Sequence, residues 1–584
     1  MRPMMRPLAL ACCLSISMPV LAGIDVRVRG LGADEENNAY KQLAILDYAV
    51  RTDQEKGDYD TAEVERLLKQ GEQDIRTALQ PFGWYHADVK SQLAGAKPNW
   101  TATYTVDAGP ETDIAAVDVI VEGEGKADPD IDRAARHPHV RVGERLKHLE
   151  YEDLKARLQD AAYAQGYLDA NFTRHELRVD AAANRAEILL TIDTGPRYYF
   201  GDVVFDQDGR LDDDFLRQYA TAAPGAPFSS AKLLATQFAF TDLDYFKSVE
   251  VEAQKSKAGS DRRIPVIIHL PHKKPYLFRF GAGYGTDTGP RALAGVEFRR
   301  ITDHGHKLRI DLRPSQHIST AIAEYKIPYG NHPGDSYSFP VQGLKQDFQG
   351  IDEKLYSFGV SYNRQINAWQ RRYYLTYTHD DYTLEDQPAA TSILLTPGIQ
   401  LSRTEANDPI RPSRGWFVFA DVHAASTEVL SDTSFIEVLL RVRTLNRLSK
   451  GVYLLLRGEE GAAFVHSFAS LPPSQRFFAG GDESVRGYAY HSLGPRDDKG
   501  RVIGGKYLTT GSAELDFDVY KNYGLAVFGD IGGADDVPNV LLHYGAGLGL
   551  RYRAPFGSIA IDLAHPFDHD ASPVRLHLGV RIGI

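Results

Sequence analysis

The chain has 584 residues, of which 43% are hydrophobic and 25% charged, and a formal net charge of −12. That balance excludes a collagen-like, wholly disordered or polytopic helical-membrane chain. The acidic excess also argues against a nucleic-acid partner, because phosphate binding calls for basic surface. With 31 tyrosines and 51 glycines, the composition favours β structure with tight turns.

From the N-terminus, residues 1–22 read as a secretory signal peptide. Arg2 and Arg6 form its basic region, Leu8 to Ile16 a short apolar core, and Val20-Leu21-Ala22 a small-residue cleavage site. The core is too short to span a bilayer. Both cysteines, Cys12 and Cys13, lie inside it. A lipoprotein reading of Cys12 would leave almost no apolar core upstream. Cleavage after Ala22 would bring the charge to −14 and leave no cysteine. Disulfides, thiol catalysis and Cys-ligated zinc are then excluded. No later apolar run is long enough for a transmembrane helix, so the exported chain is expected either to dissolve or to cross a membrane as a barrel.

Between residues 23 and 275 a phrase recurs. TVDAGP runs from Thr105 to Pro110 and TIDTGP from Thr191 to Pro196, with Gly109 and Gly195 86 residues apart. Each closes an alternating apolar strand and precedes another, Val117 to Val121 and Gly201 to Phe205. A weaker third ending runs from Val266 to Leu270, then Pro275. Within the units, GWYHADV (Gly83 to Val89) matches GYLDANF (Gly166 to Phe172), and the third reads DYFKSVEV (Asp244 to Val251). Glycine there suits a left-handed helix end, and Asp244 is a poorer substitute. Apolar stripes mark the preceding helices: Val64, Leu67, Leu68, Ile75 and Leu79; Leu154, Leu158, Ala161 and Ala162; Leu233, Leu234 and Phe238. Ser229 or Ser230 can cap the third. Each unit reads as strand, two helices and two strands, with one sheet face covered by helices. The unit boundaries are 23–110, 111–196 and 197–275. Alone, such units are as well read as soluble spacers as binding modules, because nothing catalytic recurs.

From residue 276 the helical periodicity stops. Tyr356, Phe358, Val360 and Tyr362 alternate with Ser357, Gly359, Ser361 and Asn363. Leu525, Val527 and Ile531 oppose Ala526, Phe528, Asp530 and Gly532. Tyr544, Ala546, Leu548, Leu550 and Tyr552 oppose three glycines, His543, Arg551 and Arg553. The last segment sets Leu576, Leu578, Val580, Ile582 and Ile584 against Arg575, His577, Gly579, Arg581 and Gly583. Apolar outside and polar or glycine inside, at period 2, is the pattern of a transmembrane β-barrel. A soluble sandwich also alternates, but aromatics at strand ends favour the barrel. Sixteen strands can be marked over 276–584.

One loop carries a motif. Between the strands Val452 to Arg457 and Tyr507 to Asp518 runs FFAGGDESVRGYAY, Phe477 to Tyr490, and VFGDIGG follows at Val527 to Gly533. NDPIRPSRGW, Asn407 to Trp416, marks an earlier hairpin. With the repeats, these segments resemble the outer-membrane assembly and two-partner-secretion transporter superfamily. The resemblance implies three α+β POTRA-like repeats followed by a 16-stranded antiparallel transmembrane β-barrel. Three repeats place it nearest the translocation-and-assembly-module branch. The diagnostic loop tetrad falls on Val485, Arg486, Gly487 and Tyr488, with strand partners Phe528, Asp530 and Gly532. The residue pattern supports that pairing: Phe528 and Asp530 share a face opposite Leu525 and Val527, and Glu514, Asp516 and Asp518 point inward from the preceding strand. A loop folded into the lumen would bring Arg486 to an acidic wall. The plain alternative is a surface turn with an exposed arginine. The chain departs from the family in ending on Ile584 rather than an aromatic residue.

No enzymatic constellation is found. His565 and His569 lack an H-E-x-x-H frame, the aspartates from Asp206 to Asp214 miss EF-hand spacing, and Gly504-Gly505-Lys506 lacks the P-loop frame. No catalytic residue, metal or cofactor is expected. By resemblance, the protein inserts or translocates autotransporter or β-barrel clients. It would sit in outer-membrane lipid with its repeats in the periplasm, beside a TamB-like inner-membrane-anchored periplasmic protein. A two-partner-secretion transporter for a soluble adhesin and a passive porin are the alternatives. The seam is expected between the first strand, with Gly281, Gly283 and Gly285 inward, and the last, with Gly579 and Gly583 inward. Glycines weaken both strands, unless they make room for the folded-in loop.

Overall fold

The computed structural model describes residues 23–54, 59–96, 99–136, 140–285, 289–348, 350–384, 387–555, 557–568 and 574–581. Residues 1–22, read above as a signal peptide, and His569, Ile582, Gly583 and Ile584 lie outside them. The described chain forms two compact units whose boundary runs through the third repeat. One holds residues up to Asp202 with Ala222–Leu233 and Gln254–Pro265, and the other holds the remainder.

The first repeat comprises β1 (Ile24–Arg29), α1 (Ala33–Gln42), α2 (Ala44–Gln54), α3 (Thr61–Leu79), β2 (Asp88–Ala96) and β3 (Asn99–Asp107). It carries three helices where the sequence pattern suggested two. The extra one arises because Leu43 adopts extended backbone, at φ −74° and ψ 105°, which divides the segment before α3 into two short helices, with Leu43 and Ile45 buried at the joint. In α3, Asp60 caps the first turn, and Val64, Leu67, Leu68, Ile75 and Leu79 form the buried face. The second repeat has β4 (Asp113–Glu122), α4 (Pro129–Ala135), α5 (His148–Ala164), β5 (Asn171–Asp180) and β6 (Arg185–Asp193). Tyr151, Leu154, Leu158 and Ala162 of α5 are buried. The third has β7 (Tyr199–Asp206), α6 (Asp213–Arg217), α7 (Ser230–Asp242), β8 (Glu250–Ala253) and β9 (Arg263–His269). In each three-stranded sheet the last strand lies in the middle, in orders β1-β3-β2, β4-β6-β5 and β7-β9-β8. Gly83, Gly166 and Asp244 all adopt left-handed backbone, at φ 85°, 91° and 61°. Asp244 is therefore held in the glycine conformation, and its carboxylate takes Lys273 and Arg299.

The stripe expected on α7 is corrected. Thr236 and Phe240 are its buried residues, whereas Leu234 and Phe238 are 51% and 59% exposed. Phe240 wins the interior because its ring packs against Phe205 and Phe246. The second compact unit also ties this repeat to a barrel turn. Tyr245 Oη donates to the Gly305 carbonyl at 2.5 Å, and Lys307 Nζ donates to the Leu243 carbonyl at 2.8 Å.

The barrel strands are β10 (Tyr276–Gly285), β11 (Gly289–Phe298), β12 (Lys307–Arg313), β13 (Ile318–Pro328), β14 (Ser336–Phe348), β15 (Ile351–Ile366), β16 (Trp369–Leu384), β17 (Ala390–Ala406), β18 (Gly415–Ala425), β19 (Phe435–Ser449), β20 (Val452–Val465), β21 (Tyr507–Tyr520), β22 (Tyr523–Asp535), β23 (His543–Ala554), β24 (Gly557–Pro566) and β25 (Arg575–Arg581). They form one 16-stranded sheet in sequence order. Phe278, Phe280, Leu525, Val527, Leu548 and Leu563 stand exposed on the outer face, as lipid-facing residues must. No helix among the described residues is long and apolar enough to cross a membrane. The sequence reading pairs the first and last strands, but β10 and β25 stand at opposite ends of the hydrogen-bonded order. No backbone ladder joins them among the described residues.

Candidate functional site: a buried arginine in the barrel lumen

The chain between β20 and β21, residues 466–506, folds inward. An apolar nest seats it: Val485, Tyr488, Phe477, Ala479 and Leu493 of the loop pack with Leu394, Phe435, Ala463 and Leu508 of the wall. Burying these side chains offsets part of the ordering cost of so long a loop. Farther along the wall, Ser474 donates to Asp380 at 2.6 Å, and Gln475 contacts His423.

Arg486 is the centre of the site and only 1% exposed. All five of its guanidinium N–H groups find acceptors. Nε donates to Asp530 Oδ2 at 2.7 Å, and Nη2 to Asp530 Oδ1 at 2.9 Å and Ser512 Oγ at 3.3 Å. Nη1 donates to Glu514 Oε2 at 2.6 Å and Asp562 Oδ2 at 2.9 Å. Its backbone N–H adds a bond to Asp530 at 3.0 Å. The guanidinium lies 3.4 Å from the centre of the Phe528 ring, in cation–π geometry. A second buried guanidinium, Arg551, holds Glu514 at 2.7 Å and also Asp562. Two guanidiniums thus meet the three carboxylates of Glu514, Asp530 and Asp562, and Arg486, supplied by the loop, offsets one of those three negative charges.

Strand register explains the convergence. Ser512 opposes Asp530, and Glu514 opposes Phe528, across β21 and β22. Asp530 and Phe528 in turn oppose Gly545 and Gly547 of β23, and Gly549 opposes Asp562 of β24. Each glycine marks an occupied space. A Cβ on Gly545 would lie 2.1 Å from the Arg486 carbonyl oxygen, one on Gly547 2.5 Å from the Phe528 ring, and one on Gly549 2.1 Å from Asp562. Gly532 is equally constrained, with the Thr509 carbonyl oxygen 2.6 Å from its virtual Cβ. Gly487 has φ 101°, which a side chain rarely adopts, and passes close to the backbone of Pro566. Tyr488 Oη donates to the Tyr544 carbonyl at 3.1 Å.

The structure therefore brings together Val485, Arg486, Gly487, Tyr488, Glu514, Phe528, Asp530 and Gly532. It places the seam residues elsewhere. The nearest described side chains to Gly281 and Gly283 are Leu293 and Arg291 of the neighbouring strand, and Gly579 has no described atom within 4 Å of its virtual Cβ. These glycines do not make room for the loop. Gly285 ends β10, and Gly583 lies outside the described residues. Sequence reasoning missed Asp562 and the role of Arg551. Their available trace was a lone acid between Ile561 and Leu563 and a lone base between Leu550 and Tyr552, each on an inward position. Among the described residues, no group of three or more His, Cys, Asp or Glu side chains could hold a metal ion.

Residues 303–584 match the Omp85 superfamily domain, and residues 25–108 match POTRA domain 1 of TamA. The chain is similar to the outer membrane protein assembly factor BamA of Neisseria meningitidis serogroup B, at 21% identity over 71% of this chain and 59% of that protein. It is also similar to chloroplastic outer envelope protein 80 of Arabidopsis thaliana, at 31% identity over 55% of this chain and 48% of that protein. The chain spans about half to three-fifths of the length of the curated relatives it matches. Among solved structures, BamA from Haemophilus ducreyi lacking POTRA domains 1-3 shares its fold, with a TM-score of 0.65 at 18% identity, over 81% of this chain and 99% of that one.

Proposed function

We propose that the chain, whose residues 303–584 match the Omp85 superfamily domain, inserts or translocates autotransporter and β-barrel clients through a lateral seam between β10 and β25. The observation that supports this reading is that no ladder joins those two strands among the described residues. Among the described residues, each strand leaves one row of backbone N–H and C=O groups without a partner strand, a template on which an incoming client strand can pair by β-augmentation. Glycine in both strands lowers the cost of parting them. The TamA-type first repeat supports placing the chain in a translocation and assembly module. Its three repeats would then face the periplasm and meet a TamB-like protein anchored in the inner membrane. No catalytic step belongs to this proposal.

The test is a disulfide across the seam. The sequence holds no cysteine after Cys13, so pairs of cysteines scanned over 276–285 and 575–581 report without interference once the leader is removed. A reconstituted vesicle assay with an unfolded autotransporter barrel as client reads the outcome. Assembly should stop in the oxidised form and return on reduction. Wild-type assembly in both forms rules out lateral opening.

A further inference from the structure

The two margins of the seam are held in different ways. On β10 the inward Arg279 opposes Gly295 of β11, which in turn opposes Asp311 of β12. Because Gly295 has no side chain, Arg279 reaches across it and donates to Asp311 at 2.8 Å. Asp311 is buried and also takes Arg309. The first strand is thus stapled to its own sheet.

The last strand is held by the loop. His577 of β25 is 2% exposed. Its Nε2 accepts the Gly487 backbone N–H at 3.0 Å, and its Nδ1 pairs with Asp482. A backbone amide can only donate, so Nε2 is the acceptor and Nδ1 carries the proton toward Asp482. Both partners belong to the loop and flank Arg486. The left-handed backbone of Gly487 and its close approach to Pro566 aim this N–H at the strand. Asp562, directly opposite His577 on β24, binds Arg486 itself. Beyond His577, Gly579 has no described atom within 4 Å of its virtual Cβ.

We infer that His577 is a positioning residue that latches the last strand to the docked loop, so that β25 is the mobile margin of the seam and β10 the fixed one. Loop undocking then frees β25 and leaves β10 in place. The inference rests on the lateral-seam reading and assigns which strand moves and what holds it.

Amide hydrogen exchange on the purified full-length chain in lipid vesicles tests the latch without any client. Peptides covering 276–285 and 574–581 are compared. His577→Leu removes both bonds and should speed exchange of the β25 amides by about tenfold, the scale of one or two lost buried hydrogen bonds, with β10 unchanged. His577→Gln supplies one acceptor and one donor and should bring β25 back to within about threefold of wild type, which a purely steric role for the ring would not do. Arg279→Leu should speed β10 alone. Unchanged β25 exchange in His577→Leu, or an equal rise in both strands, overturns the inference. Should His577→Leu fail to give heat-resistant folded protein, Asp482→Ala carries the test from the loop side: a rise of about threefold in β25 alone supports the latch, and no rise overturns it. Because no client is present, failure here leaves the disulfide result standing, and failure of the disulfide test leaves the exchange result readable.

Discussion

Replacing Arg486 with alanine separates a docked loop from an ornamental one. The substitution removes five side-chain hydrogen bonds and the stack on Phe528. Asp530 loses both guanidinium donors and keeps only the Ser512 hydroxyl and the Arg486 backbone N–H. Glu514 and Asp562 are left to share Arg551. Removing one partner from a buried ion pair costs about 3–5 kcal/mol, because the other charge stays desolvated. At about 1.4 kcal/mol per power of ten, the docked state should lose about two to four powers of ten against the undocked one. Arg486→Lys keeps the charge but cannot span Asp530, Glu514 and Asp562 together, and should fall between. The assay is limited proteolysis of the loop in vesicles, read by mass spectrometry over 466–506, alongside heat-resistant gel mobility. Cleavage should accelerate steeply in Arg486→Ala. In the double variant with Asp530→Ala it should accelerate less than the two single effects combined, since the stranded carboxylate is gone. Wild-type cleavage in Arg486→Ala, or strictly additive effects, would refute the lumenal clamp.

Three further outcomes are expected. Gly545→Ala should undock the loop, because the new methyl meets the Arg486 carbonyl oxygen, whereas Gly579→Ala should leave it docked; loop proteolysis faster in the first variant than in the second checks this, and equal rates refute it. In the first compact unit, His148 accepts from or donates to Tyr85 at 2.8 Å, and burial pulls its imidazole below the ordinary histidine value. Its contribution to stability is therefore full above that ordinary value and lost as pH falls through the depressed one. The melting temperature of the fragment 23–196 should drop between about pH 7 and about pH 5 by more in the wild type than in His148→Phe. That fragment should be soluble and folded by itself. A fragment extended to 275 should be less stable in its third repeat, because Tyr245 and Lys307 no longer bridge repeat and barrel turn; circular dichroism and exchange on the two fragments decide it.

Much of this architecture was legible because it follows local periodicity. The recurring Gly83 and Gly166 mark left-handed helix ends, and Asp244 at the same place adopts the same backbone. Alternation along β21 to β23 separates lipid face from lumen, and hence puts Glu514, Phe528 and Asp530 on one wall. The face of α7 was not legible. Leu234 with Phe238 and Thr236 with Phe240 are both i,i+4 pairs, and only the Phe205 and Phe246 rings, brought in from β7 and the segment before β8, decide between them. Asp562 and Arg551 escaped for a related reason. Their significance depends on a register running across β22, β23 and β24, and no single strand carries it.

Glycine serves two opposite purposes in the barrel, and the contrast ties the clamp to the seam. In β23, Gly545, Gly547 and Gly549 are bare because the loop, the Phe528 ring and the Asp562 carboxylate fill the space. In β25, Gly579 is bare with no described atom filling the space. The first set makes docking possible; the second leaves a strand with little packing of its own. The charge at the clamp completes the link. With Arg486 withdrawn, Glu514 and Asp562 share Arg551 and Asp530 loses its guanidinium partner, and a charge excess in a dry, low-dielectric pocket is strongly unfavourable. Undocking must therefore admit water to the wall formed by β21, β22 and β24. Asp562 stands on that wall, and His577, beside it in register on β25, stands at the margin of the sheet that has no partner strand among the described residues.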